Sequence, residues 1–239
     1  MSFSMQINDK EEIFTTVFQP IVNIKEDRIV SMEVLSRSRS GENIESLLKK
    51  ISLEGNLRKF TMASIEEIKS LSNLIPKMVR YLSLNITMSH ICDTYVLDDL
   101  NELIFVLAKQ HIQLVIELPE GEPYPALNSL KGRNLVNNID LLREKNVLIA
   151  IDDFGKGVNV SETEVLHLMP DVLKVDKDVV QNPNENQDVW LVLESIREKL
   201  NLTIVAEGIE SPQDLVFVMK KGVCFCQGFY FGRPSVLLA

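Results

Sequence analysis

Five acidic or amide positions each sit where a short apolar run stops. The runs are IVSMEVL with Glu33, YLSLNIT with Asn85, LVIELPE with Glu117, VLIAIDDFG with Asp152 and Asp153, and LTIVAEGIE with Glu207. Each opens with the β-branched and long aliphatic residues of a buried strand and turns polar at its carboxyl end. A buried strand tolerates a carboxylate only when it is paired or ligates a cation. Five strand ends bearing oxygen donors therefore imply one cation-binding mouth, assembled from parts scattered over roughly 175 residues.

Strand-like and helix-like segments alternate along the whole chain. TTVFQPIV and DRIVSMEVLSR come first, joined by NIKED, a turn short enough for an antiparallel hairpin. Six further strand-like runs follow, the last being FCQGFYFG, with amphipathic helical segments between most of them. In DVWLVLESIREKL the residues Val189, Val192, Leu193, Ile196 and Leu200 form one stripe at helical spacing. Trp190 lies off that stripe, so it marks either a second contact surface or an ordinary partly exposed side chain. Aliphatic strands alternating with helices imply a parallel sheet covered on its outer face. Eight such units in 239 residues fit a TIM-like (β/α)8 barrel of the α/β class with an antiparallel first strand. The active site of such a barrel lies at the carboxyl ends of its strands, the edge at which the oxygen donors fall.

Composition excludes other classes. A net charge of −9, with 25 dispersed Lys and Arg, is unsuited to a nucleic-acid polymer, which needs a basic face. The opening MSFSMQINDKEEIF has no apolar core of a signal peptide, and no run approaches the roughly 18 to 20 apolar residues of a membrane span. The expectation is a soluble, cytoplasmic chain. Cys92, Cys224 and Cys226 form no CxxC pair and read as small buried hydrophobes. His90, His111 and His167 are isolated from one another and from the strand ends, so histidine is not expected in the chemistry.

The string EVLSR resembles the EAL signature of cyclic-di-GMP-specific phosphodiesterases, with Val34 in place of the usual alanine. The resemblance continues through FQPIV, LNIT, IELPE, IDDFGKG, DVLKVDKD, VAEGIE and CQGFYFGRP, in the family's order, over about residues 13 to 234. On this reading residues 1–12 are an N-terminal extension and residues 13–239 one phosphodiesterase domain, with no sensor segment before residue 13.

The resemblance implies metal ligands at Glu33, Asn85, Glu117, Asp152, Asp153 and Glu207, with Asp152 bridging two ions, Mg²⁺ or Mn²⁺. It implies that Lys174 contacts the nucleophilic water and that Gln227 lies near that water and the substrate. Gln19 and Arg37 fall at positions that contact the cyclic dinucleotide. Glu120 matches a glutamate that holds the loop after Asp152 and Asp153. It also implies a homodimer whose interface that loop reaches.

The chemistry is coherent without the family. Hard oxygen donors suit Mg²⁺ and Mn²⁺, and Ca²⁺, larger and more loosely coordinated, is expected to inhibit. Two such ions can activate one water and stabilise both attacking and leaving oxygens at phosphorus. Blander readings exist for single residues. Lys174 could be a solvated lysine paired with Asp176 or Asp178, Asn85 a turn or cap residue, Arg37 a surface charge, and Asp152-Asp153-FGKG a strand-to-loop turn. Neighbouring strand residues point to opposite faces, so both aspartates reach one site only where the strand has begun to unwind.

Several positions depart from the family pattern. Besides Val34, Pro119 replaces a threonine, Lys156 stands where threonine is usual, and Val158 where an aromatic is common. The short tail after Pro234 implies an eighth helix that is short or missing. The function expected is hydrolysis of cyclic-di-GMP to linear pGpG. The alternative is a catalytically weak or inactive relative that binds the dinucleotide or a protein partner.

Overall fold

The computed structural model describes residues 2–119, 124–126, 128–156 and 162–237. Among these residues nine strands form one sheet: β1 (Ser2–Ile7), β2 (Lys10–Asn23), β3 (Arg28–Ser38), β4 (Tyr81–Asn85), β5 (Gln113–Leu118), β6 (Leu148–Phe154), β7 (Val172–Val175), β8 (Thr203–Ala206) and β9 (Phe225–Gln227). They pair in chain order, and β2 also pairs with β9, which closes β2 to β9 into an eight-stranded barrel. Strand β2 runs antiparallel to both β3 and β9, while β3 through β9 are mutually parallel. The fold is the expected TIM-like barrel with an antiparallel first barrel strand.

Strand β1 is additional to the eight strands read from the sequence. It pairs with the amino-terminal half of β2 through a two-residue turn, Asn8 and Asp9, both at positive φ (49° and 60°). That is the twist a tight hairpin needs, and Asn and Asp adopt it with least strain. Phe3 of this hairpin meets Phe14 and Phe60 at ring-centroid distances of 5.3 and 5.4 Å. These rings, with Ile7, Leu47 and Ile51, make a satellite core beside the main one.

Helices cover the barrel's outer face: α1 (Ile44–Leu53) and α2 (Leu57–Leu71) after β3, α3 (Met88–Ile91) and α4 (Val96–Ala108) after β4, α5 (Leu130–Glu144) after β5, and α6 (Glu162–Leu168) after β6. Then come α7 (Lys177–Gln181) and α8 (Gln187–Lys199) after β7, and α9 (Pro212–Lys220) after β8. Among the described residues no helix follows β9, and none is long and apolar enough to cross a membrane. Helices α3 and α7 escape a periodicity search because one turn carries no repeat. Each is marked by its cap instead: the Thr87 hydroxyl accepts from the His90 N–H, and the Asp176 carboxylate accepts from the Asp178 N–H.

The stripe on α8 faces inward, with Val189, Leu193 and Ile196 buried. Trp190 is also buried, so its second surface is internal. It packs edge-on against Phe217 of α9 at 5.2 Å and donates its indole N–H to the Val179 carbonyl on α7. One side chain thus ties three helices together below the mouth. Trp190→Ala is expected to lower stability by about 3 to 5 kcal/mol, the usual cost of a large aromatic removed from a core. Urea unfolding should show it as a lower midpoint at unchanged slope; a midpoint within error of wild type contradicts this packing role.

Candidate active site

The polar strand ends converge at the carboxyl end of the parallel strands. Glu33 comes from β3, Asn85 from the last position of β4, Glu117 from β5, Asp152 and Asp153 from β6, and Lys174 from β7. Glu207 follows β8 directly and its N–H bonds the Val175 carbonyl. Gln227 ends β9, and Gln19 on β2 lies opposite Glu33 in register. Cross-strand partners share a face, so closure of the barrel brings Gln19, Glu33 and Gln227 together.

The two aspartates reach the mouth through an irregularity. Ile151 pairs with Leu173, but the next partners are Phe154 and Val175, so β6 holds one residue more than β7 over that step. Asp153 has φ of +46°. This bulge cancels the alternation that would otherwise send the second carboxylate outward.

Lys174 stands at the centre of the cluster. Its Nζ lies 2.8 Å from Asp152 Oδ1, 2.8 Å from Glu207 Oε1, 3.1 Å from Glu117 Oε2 and 3.5 Å from Glu33 Oε2. It pairs with neither Asp176 nor Asp178 in these contacts. Asn85 Nδ2 donates to Glu33 Oε1 and Glu117 Oε2, each at 3.1 Å. Gln227 Nε2 donates to Glu33 Oε2 at 2.6 Å and to Gln19 Oε1 at 3.2 Å, and Gln19 Nε2 donates to the Gly232 carbonyl. Side-chain exposure rises from 0% at Glu117 and 2% at Lys174 to 14% at Asp152, 16% at Glu207 and 25% at Asp153. The site therefore has a dry floor and a wetter rim.

Charge is unbalanced in this cup. Burial drives the carboxyl of Glu117 well above the usual carboxylate range, with Lys174 opposing and Glu33 and Asp152 adding to the shift. Glu207 moves the same way for the same reason. Burial opposes the charge on Lys174, yet Asp152, Glu117, Glu207 and Glu33 hold its pKa well above that of an ordinary lysine. Five carboxylates around one central ammonium call for more positive charge.

The donors suit divalent cations. Glu33, Glu117 and Asp152 each offer an oxygen within 4.8 Å of the others, and so do Asp152, Asp153 and Glu207. Asp152 belongs to both groups, so two adjacent ions would share it. Glu117 Oε1 and Gln227 Oε1 are buried with no hydrogen-bond partner, which is costly unless a ligand completes them. An all-oxygen set of this kind matches Mg²⁺, Mn²⁺ or Ca²⁺ chemistry.

Arg37 lies at the exposed end of β3, donating to the Ser36 carbonyl, and it does not touch the cluster in the contacts observed. It borders a cavity of about 460 Å³ between the ends of β3 and β4 and helices α1 and α2. Asn85 lies on the boundary between this cavity and the carboxylates, and Val34, Leu35, Phe60 and Pro119 supply apolar wall. No local motif announces this cavity, because it arises between elements. Glu120 and Val158 lie outside the described residues. Lys156 is described, and its Nζ lies 3.7 Å from Asp153 Oδ2 and 3.8 Å from Asp176 Oδ2.

Cysteine and histidine stand apart from these donors. Burial raises the Cys226 thiol to about 12, the behaviour of an inert core residue. His90 is buried and bonds Asp99 at 2.9 Å, and Arg58 grips the same carboxylate through two nitrogens. This network braces α2 against α4.

Fold and site define a (β/α)8-type barrel with a carboxylate-rich mouth. The chain belongs to the EAL domain family, whose model matches residues 3–234. Among curated proteins it is similar to the probable cyclic di-GMP phosphodiesterase PdeG of Escherichia coli (strain K12), 28% identical over 229 residues, covering 91% of this chain and 44% of that protein. It is also similar to the probable cyclic di-GMP phosphodiesterase PdeD of the same organism, 29% identical over 250 aligned positions, covering 99% and 45%. The chain thus spans less than half the length of these relatives. Among solved structures it resembles the calcium and cyclic-di-GMP complex of Klebsiella pneumoniae BlrP1, with a TM-score of 0.75 at 24% identity over 95% of this chain and 57% of that one. The EAL domain protein of Listeria monocytogenes EGD-e has a TM-score of 0.69 at 22% identity, over 92% and 88%. These likenesses bear on the fold.

Proposed function

We propose that the chain is a metal-dependent phosphodiesterase that hydrolyses cyclic-di-GMP to linear pGpG. The observation carrying this reading is Asp152, shared by two adjacent groups of oxygen donors within a buried cup of carboxylates. Membership of the EAL family and the similarity to the relatives named above support cyclic-di-GMP as the substrate.

In this reading Glu33, Asn85, Glu117, Asp152, Asp153 and Glu207 hold two divalent ions, Mg²⁺ or Mn²⁺. When bound, the ions supply charge that neutralises the phosphate and makes water a competent nucleophile. The chain's own residues do the positioning. Lys174, anchored among four carboxylates on a β-strand, points an ammonium donor at the attacking water. Gln227 presents a carboxamide oxygen beside Glu33, and its hydrogen bond to Gln19 fixes its orientation. Gln19 and Arg37 flank the mouth and contact the dinucleotide. Glu120 supports the loop after β6. One phosphodiester opens, leaving a 5′-phosphate on the linear product. A homodimer is the proposed assembly, and sedimentation velocity tests it.

The test is direct: incubate the purified chain with cyclic-di-GMP and Mn²⁺, and separate the nucleotides by chromatography. Accumulation of pGpG is the expected result. Tight binding with no product would move the chain to the receptor class.

A further inference from the structure

We propose that Lys156 is a positioning residue that weakens and tunes the outer of the two cation sites, the one formed by Asp152, Asp153 and Glu207. The inference rests on the metal-dependent reading above and goes beyond it.

The root of Lys156 is firmly placed. The Phe154 carbonyl accepts from the Asp176 N–H, and the Lys156 N–H bonds the Asp153 carbonyl. Gly155 between them has φ of +102°, and a Cβ there would clash with Val179 Cγ2. The chain therefore crosses α7 at a point where only glycine fits, and the next residue is aimed at the α7 cap. The Asp176 side chain is 2% exposed. Its Oδ1 caps α7 through the Asp178 N–H, and its Oδ2 faces the Lys156 ammonium at 3.8 Å. Asp176 thereby holds a cation 3.7 Å from the Asp153 carboxylate.

That ammonium neutralises part of the charge of an outer-site ligand and repels a divalent ion arriving there. For unit and double charges near contact, the repulsion in water changes affinity on the order of tenfold. The Lys156 side chain is 53% exposed, so salt must screen the effect. Lys174 borders both groups, whereas Lys156 meets only Asp153 of the outer one in these ion pairs, so the inner group, Glu33, Glu117 and Asp152, should change less. The consequence is a protein whose inner site fills first and whose outer site fills only as divalent cation rises.

Mn²⁺ titration of the full chain by electron paramagnetic resonance tests this with wild type, Lys156→Gln and Lys156→Arg. Lys156→Gln should tighten the weaker class of sites about tenfold at low ionic strength, and the gain should shrink to a few-fold in roughly half-molar KCl. Lys156→Arg, which keeps the charge, should match wild type. Equal weaker-site affinity in wild type and Lys156→Gln, or a gain that ignores salt, overturns the inference while leaving the cation reading intact. Absence of Mn²⁺ binding in all three proteins overturns both.

Discussion

Removing divalent cations with EDTA is expected to abolish cyclic-di-GMP hydrolysis, and Mg²⁺ or Mn²⁺ is expected to restore it. Five carboxylates converge on a mouth whose central positive charge is Lys174. The substrate carries two phosphodiester charges, so without added cations it meets repulsion at the reacting phosphorus. The donors are hard oxygens, which Mg²⁺ and Mn²⁺ match in size. Ca²⁺ accepts longer bonds and looser geometry, so it should bind, protect the fold and fail to support turnover. Product chromatography reads the chemistry, and the thermal midpoint with each ion reads binding independently, because a ligand bound by the native state alone raises stability. Undiminished turnover in EDTA removes the two-metal mechanism.

Lys174→Ala should lower kcat by about 10²- to 10⁴-fold, the range typical of a lost group acting on a proton in flight. The same substitution has a second signature. Four carboxylates lie within 3.5 Å of the Lys174 Nζ, and removing one partner of a buried ionic cluster commonly costs about 3 to 5 kcal/mol. The metal-free variant should therefore be markedly less stable than metal-free wild type. Added Mn²⁺ should recover more stability in the variant than in wild type, because bound cations replace the missing charge. The rate defect should persist in the loaded, folded variant. Wild-type turnover by Lys174→Ala would show that the water is oriented by other groups.

Much of the barrel is legible in the sequence. Asn85, Glu117 and Asp152 lie within two residues of the carboxyl ends of β4, β5 and β6, and Glu207 directly follows β8, whereas Glu33 sits inside β3, which continues to Ser38 through its antiparallel pairing with β2 after its parallel pairing with β4 has ended. A parallel strand buried on both faces reads as a continuous hydrophobic segment, which makes its polar terminus conspicuous. The helical stripes behaved likewise, with Val189, Leu193 and Ile196 of α8 all inward. Strand β1 was harder to see. SFSMQI is short and, before the buried Ile7, alternates partly buried residues with exposed ones, and its partner rings Phe14 and Phe60 lie elsewhere in the chain. Trp190 could be read either way until Phe217 and Val179 were found beside it.

The sequence by itself determined the barrel class, the edge at which its oxygen donors gather and the family to which it belongs. Those properties follow from local polarity and period, which a strand or helix carries within a few residues. Only the tertiary structure decided how the donors meet. Whether Asp152 and Asp153 share a face depends on the register of β6 against β7, and the extra residue at the bulge is invisible to an alternation count. Gln227 reaches Glu33 across 194 positions because β2 and β9 close the barrel. Lys174 could have paired with Asp176, its near neighbour in sequence. It turns instead to Glu33, Glu117, Asp152 and Glu207, because its side chain faces the barrel interior, and leaves Asp176 to Lys156. A charge pairs with whatever the fold brings within a few ångströms in a dry site, and that distance is set by packing rather than by separation along the chain.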